Sequence, residues 1–326
     1  MISLGLESTA HTFGVGIVNE SGKILADEKS TFKPKLGSGF VPKELFEHHV
    51  AVADKIIKSA LEKAKIKIRD VDIISFSQGM GIPNALRAGA AVARFLSQKF
   101  DKPLIGVNHA IAHIEIGKLT TRSKDPIVLY LSGGNTQVIA YAEGRYRIFG
   151  ETEDIPIGNA FDVVARDMGL PMPGGPEVEK IAKHGKYTEL PYVVKGMDLS
   201  FSGILTAAKE KLLADIRKED IAYSMQEVCF AMLTEATERA LAHTGKQEVL
   251  LVGGVAANKR LQEMLMIMCE ERGAKLFFVP MEYAGDGGAM IAWTGISAYK
   301  NGEKTKLEDS HIKQNWRTDE VEITWI

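Results

Sequence analysis

A duplicated α/β fold follows from three observations in the 326-residue sequence. Apolar runs of strand length alternate with longer stretches of helical periodicity. The layout strand, small-residue turn, strand, charged turn with glycine, strand occurs at the N-terminus and again from residue 127. That spacing is too long for a solenoid repeat and fits a domain duplicated once. The expected architecture is two βββαβα-type lobes, 1–122 and 123–326. The second is enlarged by helical insertions and ends in a tail.

In the first lobe, residues 2–6, 13–18 and 24–29 are the strand runs. Glu7-Ser8-Thr9-Ala10-His11-Thr12 joins the first two, and Asn19-Glu20-Ser21-Gly22-Lys23 turns the chain into the third. A Gly/Pro/Lys loop over 33–39 leads to a helix over 44–65, where Val52, Ile56, Ala60 and Ala64 recur every four residues. His48 and His49, near its start, are expected at the surface or as capping groups. Residues 71–77 form a buried strand. A Gly/Pro turn with Asn84 as N-cap follows, then an Ala-rich helix over 85–99 and a strand over 104–107. A helix starting near Asn108 then carries His109 and His113 on one face, one turn apart.

The second lobe repeats the strands at 127–131, 138–142 and 146–152. Helices are expected over 158–168, 176–184, from Gly203 to about 211, and over 220–243, 259–272 and 289–299. Strands are expected at 249–252 and 275–279. Pro176 suits a first helical position.

Composition narrows the function classes. The chain is 45% hydrophobic and 25% charged, as for an ordinary globular protein. Net charge is −2, so any nucleic-acid partner must be met by a local patch or with help. Lys33, Lys35, Lys43 and Arg87 are local basic residues, most simply read as solvated surface charges. Cys229 and Cys269 sit in apolar helical segments and read as buried thiols of a reducing, cytoplasmic setting. No secretion signal is expected at the N-terminus, and no apolar run reaches the ~18 residues of a membrane span.

Three small-residue turns follow strands: 7–12, Ser132-Gly133-Gly134-Asn135-Thr136-Gln137, and Gly253-Gly254-Val255-Ala256-Ala257-Asn258. Each alone is simply a tight hairpin or a helix start. Together, at equivalent strand ends, they suit a phosphate-cradling cleft of the kind seen in the actin, hexokinase and Hsp70 superfamily. Asp162 and Glu179, on helices bordering Gly174-Gly175, are candidate acceptors for ribose hydroxyls or else solvated charges. His109, His113, Tyr130 and Asp286 form a mixed nitrogen and oxygen set that suits iron or zinc better than magnesium or calcium. Ala110 stands where an H-E-x-x-H peptidase would have its glutamate.

Seven stretches now carry a family resemblance in order along nearly the whole chain: Gly5–Ala10, Gly106–His113, Ser132–Gln137, Pro173–Pro176, Leu199–Gly203, Val252–Asn258 and Gly285–Met290. The chain resembles the tRNA N6-adenosine threonylcarbamoyltransferase family, formerly labelled O-sialoglycoprotein endopeptidase, in its archaeal and eukaryotic form. The resemblance implies transfer of a threonylcarbamoyl group from threonylcarbamoyl-AMP to N6 of adenine 37 in ANN-decoding tRNAs. It implies one iron or zinc ion on His109, His113, Tyr130 and Asp286. The acyl-adenylate would be held by Tyr130, Leu131, Ser132, Gly133, Gly134, Asp162, Gly175, Glu179 and Asn258.

Partners implied are tRNA, an atypical small protein kinase that is fused C-terminally in some relatives, and small subunits of the KEOPS complex. Two positions depart from the usual pattern. Gly287 stands where members often have Asn, and Met80 where they often have Pro. His11 and Glu7 are the candidates for a general base. The alternatives are a glycoprotease-type metalloprotease and an ATPase or sugar kinase on the same fold.

Overall fold

The computed structural model describes residues 1–34 and 40–326. Lys35 and the rest of the expected loop at 35–39 lie outside the described residues. The chain folds into two compact units that are not continuous in sequence. One comprises Met1–Thr120, Glu143–Tyr146 and Gly285–Ile326, the other Thr121–Ala142 and Arg147–Ala284.

The first unit opens with β1 (Ile2–Glu7), β2 (Thr12–Asn19) and β3 (Ile24–Thr31). Then follow α1 (Pro42–Ala64), β4 (Ile73–Gly79), α2 (Pro83–Phe100), β5 (Leu104–Asn108) and α3 (His109–Thr121). The sheet runs β3-β2-β1-β4-β5, antiparallel from β3 to β1 and parallel from β1 to β5. Leu4 and Leu6 of β1 pack in one core with Ala53, Ala60, Ala90 and Ala93 of α1 and α2. Their neighbour Gly5 points to the other face, because side chains alternate along a strand.

Two expectations change here. Pro83 occupies the first turn of α2 and Ile82 the N-cap, because proline brings no N–H that would need a cap. Asn84 instead accepts a hydrogen bond from Arg87 at 2.9 Å. His49 is fully buried rather than at the surface. Its Nδ1 lies 3.1 Å from His48 Nδ1, and its ring packs on Phe13.

The second unit is built on β6 (Ile127–Leu131), β7 (Thr136–Ala142) and β8 (Arg145–Glu151), whose first two residues belong to the first unit. Helices α4 (Ile157–Asp167) and α5 (Gly174–Ala182) follow, α5 starting two residues before Pro176. A short hairpin of β9 (Val194–Lys195) and β10 (Asp198–Leu199) was not expected, since two-residue strands carry no periodicity. Next come α6 (Ser202–Leu213), α7 (Lys218–Thr244), β11 (Glu248–Val252), α8 (Lys259–Arg272), β12 (Lys275–Phe278) and the single turn α9 (Met281–Ala284).

The second sheet runs β12-β11-β6-β7-β8, with β6 antiparallel to β7 and parallel to β11. Renumbered from its own first strand, that is the order of the first sheet, so the duplication is a repeat of topology. One continuous core joins β6, β7 and β11 to α4, α5, α7 and α8. Both cysteines are buried in it.

The last helix, α10 (Gly288–Lys300), lies on β1 and β2 of the first unit. Glycine makes that approach possible. A Cβ on Gly16 would stand 2.0 Å from Ala289 N, and one on Gly5 would stand 2.3 Å from Ala292 N. No helix among the described residues is long and apolar enough to cross a membrane.

Candidate metal centre and nucleotide-binding turns

Within the first unit, α3 presents its histidines from an almost wholly buried helix. Residues 109–117 are buried on every side, so hydrophobic packing fixes the helix on all faces. Asn108 caps it: its Oδ1 accepts from Ala110 N at 3.0 Å and from Ile111 N at 3.2 Å. The rings of His109 and His113 meet edge to face, centroids 4.7 Å apart. Asp286, just before α10, comes to both: its Oδ1 is 3.3 Å from His113 Nε2 and 3.5 Å from His109 Nε2. One ligand atom from each of the three residues lies within 4.8 Å of the others.

Glu7 completes the arrangement. Its Oε2 is 3.1 Å from His109 Nδ1, while Oε1 accepts from both the N–H and the hydroxyl of Thr9 at 2.6 Å. A buried carboxylate needs such partners, and here they orient the imidazole so that Nε2 faces Asp286. Electrostatics follow from this packing. Burial alone would depress His109, but the Glu7 carboxylate and then Asp286 raise it to about 9. His113 is lowered, first by burial and then by its charged neighbour His109, against the pull of Asp286. Burial would raise Asp286, yet the hydrogen bond from His113 and the charges of both histidines hold it well below the usual carboxylate range.

The loop carrying Asp286 is anchored from β3. Asp27 Oδ1 accepts from Ala289 N at 2.9 Å, and Lys29 Nζ donates to Asp286 O at 3.2 Å. Burial pushes Asp27 up to about 6 against the N–H groups of Ala289 and Gly288. Gly287 is extended, and a Cβ there would stand 2.6 Å from Asp27 Oδ2. The glycine at 287 therefore makes room for the Asp27 carboxylate. Glu7 in this orienting role and Asp27 escaped the sequence reading. The available signal was a carboxylate at the end of an otherwise apolar strand.

Tyr130 lies in the second unit, fully buried on β6 between Gln137 and Val252 in the sheet register. The turn after it is closed by Ser132: its N–H donates to Asn135 O, and its Oγ accepts from Gly134 N and Asn135 N. Gly133 and Gly134 are exposed, with open space where a side chain would stand. Gly133 N–H falls outside that internal network.

Gly253 has φ +92°, and a Cβ there would meet Leu131 O at 2.2 Å, so this turn requires glycine. Asn258 caps α8 by accepting from Arg260 N and Leu261 N, and its Nδ2 donates to Gln226. Asp162 accepts from Gly174 N at 2.7 Å and Glu179 from Lys259 N at 2.9 Å. One oxygen of each carboxylate is thus tied to a helix start. Asp162, Gly175, Glu179 and Asn258 are brought together around the starts of α5 and α8.

The family model for tRNA N6-adenosine threonylcarbamoyltransferase matches residues 23–293. The protein of that name from Thermococcus kodakarensis is 56% identical over 327 residues, covering all of both chains. A probable bifunctional tRNA threonylcarbamoyladenosine biosynthesis protein from Methanocaldococcus jannaschii is 54% identical over the whole of this chain, which spans 61% of that protein. Among solved structures, HypF of T. kodakarensis superposes over 95% of this chain and 49% of its own, with TM-score 0.62 at 16% identity. The activator of 2-hydroxyisocaproyl-CoA dehydratase from Clostridium difficile gives TM-score 0.56 at 12% identity, over 92% and 96% of the two chains. The fold is the actin- and hexokinase-like one expected from the duplication.

Proposed function

The chain belongs to the tRNA N6-adenosine threonylcarbamoyltransferase family, and on that premise we propose that it forms N6-threonylcarbamoyladenosine at position 37 of ANN-decoding tRNAs from threonylcarbamoyl-AMP. The observation that carries this reading is the His109–His113–Asp286 set, with both histidines buried and His109 already oriented by Glu7. Two imidazoles and a carboxylate with no thiolate fit iron or zinc, and we assign Tyr130 as the fourth donor. When bound, such an ion supplies Lewis acidity toward the carbonyl under attack.

The acyl-adenylate is already activated, so the protein's task is positioning and charge stabilisation. The adenine N6 amine forms a bond to the carbonyl carbon, the carbon–oxygen bond to the phosphate breaks, AMP leaves, and N6 loses a proton. Gly133 N–H is placed to meet charge on the departing phosphate, with Leu131, Ser132 and Gly134 shaping the turn. Asp162, Gly175, Glu179 and Asn258 hold the adenosine end. Both oxygens of Glu7 are engaged, which favours His11 for the proton; its partly exposed ring stacks on Phe40 at 5.2 Å.

The proposed partners are tRNA and the KEOPS components: an atypical small kinase and small subunits. The bifunctional relatives, longer than this chain, support a partner function that is fused in some members. A cytoplasmic setting follows from a tRNA substrate. A peptidase reading lacks its glutamate, since position 110 is a buried alanine.

The test is metal analysis of the purified chain together with mass spectrometry of tRNA nucleosides after incubation with threonylcarbamoyl-AMP and partner subunits. His109→Ala is expected to lose both the metal and the modified nucleoside while remaining folded. Retained modification in metal-free His109→Ala protein would overturn the assignment.

A further inference from the structure

The segment after α10 crosses the carboxyl ends of β4 and β5 as a strap within the first unit, with little regular structure of its own. It is nonetheless tightly held. Gln78, itself buried, donates to Asp309 O and His311 O at 2.8 Å, and its backbone carbonyl accepts from Lys313 N at 2.8 Å. Arg94 grips Ser310 through both the hydroxyl and the carbonyl. Gly81 N donates to Gln314 O at 3.2 Å. Further on, Ile323 N donates to Gly144 O, and the backbone of Glu322 pairs antiparallel with that of Arg145. Ser310 and Thr318 are fully buried.

Asn108 joins this strap to the helix that carries the histidines. Its Nδ2 donates to Trp316 O at 3.0 Å and to Arg317 O at 3.4 Å, while Oδ1 caps α3. A side-chain amide is planar and turns as one body, so the two carbonyls on one side fix where the oxygen on the other side stands. That oxygen sets the entry of α3, whose first residue is His109.

We infer that the Trp316–Arg317 stretch is a positioning element for the metal ligands and that Asn108 is the positioning residue through which it acts. This deepens, and rests on, the metal-site reading above. It makes the geometry of His109 depend on a strap more than 200 residues away in sequence.

Two substitutions remove the strap-side donor while keeping a cap for α3. Asn108→Asp keeps acceptors for the α3 amides but turns a carboxylate oxygen toward the strap carbonyls. Asn108→Ser keeps a short cap and removes the donor. Zinc affinity is measured by competition with a chromophoric chelator, and hydrogen exchange follows the amides of residues 309–326. Both variants are expected to exchange faster in the strap and to bind zinc at least tenfold more weakly than the parent, in line with the usual effect of disturbing groups behind metal ligands. Faster strap exchange with zinc affinity within twofold of the parent overturns the inference. If the parent itself takes neither zinc nor ferrous iron, the metal-site reading fails instead. The inference is then judged by the imidazole nitrogen resonances of His109 in Asn108→Asp: displaced resonances support it and unchanged ones overturn it.

Discussion

Glu7 and His109 are separated by 102 residues in sequence and by 3.1 Å between Oε2 and Nδ1. A carboxylate ending the first strand thus sets the tautomer and ring direction of a proposed metal ligand at the start of the third helix. Removing the charge while keeping the shape isolates that role. Glu7→Gln is expected to weaken iron or zinc binding about 10- to 100-fold, the range typical of groups that support a ligating histidine. Wild-type metal affinity in the folded variant would falsify the orienting role.

Asp27 and Gly287 form a second coupled pair. A side chain at 287 must displace the Asp27 carboxylate, which holds the first turn of α10. Gly287→Ala is expected to cost about 1–3 kcal/mol, as overpacking does. In an Asp27→Ala background the same change should cost much less, giving non-additivity well above the ~0.5 kcal/mol seen for independent sites. Thermal melts of the four proteins in the cycle decide this, and additive costs would count against the coupling.

Gly16 meets backbone rather than a yielding side chain. Its missing Cβ would overlap Ala289 N at 2.0 Å, and no rotamer can relieve that contact. Gly16→Ala should therefore lower stability by about 3 kcal/mol or more, or prevent folding, by driving α10 from the sheet. Gly144→Ala is the comparison. Its site is spatially open, and the expected penalty is only the smaller one for its φ of +79°. Equal losses in chemical denaturation would refute the packing argument.

His49 predicts a pH dependence of stability. Burial lowers it to about 4, helped by the neighbouring His48 and His11. The unfolded chain protonates this histidine below about 6.5, whereas the folded chain resists until about 4. Stability from this group is thus complete above pH ~6.5 and declines as pH falls to about 4, by an amount on the order of 3 kcal/mol. Urea unfolding of the parent and His49→Gln at pH 7.5 and pH 4.5 checks the sign: the variant should lose less on acidification.

Some of the site was legible in the sequence because its geometry is local. His109 and His113 share a face on helical spacing alone, and Gly253 and the Ser132–Gly134 turn announce themselves by composition after apolar strands. Asp286 was legible from its place in a Gly-rich helix entry. Groups with no local signal were read less well. His48-His49 looked like an exposed pair because polarity suggests surface, yet His49 is buried by Phe13 and satisfied in part by its neighbour. Asn84 looked like a cap because capping propensity is real, but with Pro83 in the first helical position the cap falls two residues earlier, at Ile82.

Periodicity, turn composition and internal repetition by themselves determined the duplicated α/β class, the order of its longer strands and helices, and the residue types at the candidate centre. Those signals depend on near neighbours, which is why a single chain of letters carries them. Only the tertiary structure decided that Glu7 turns His109, that Asp27 claims the space above Gly287, that α10 closes on β1 and β2, and that the last residues strap Asn108. Each of those is a contact between segments far apart in sequence. Its energy comes from exclusion of water and from backbone approach, and neither leaves a pattern along the chain.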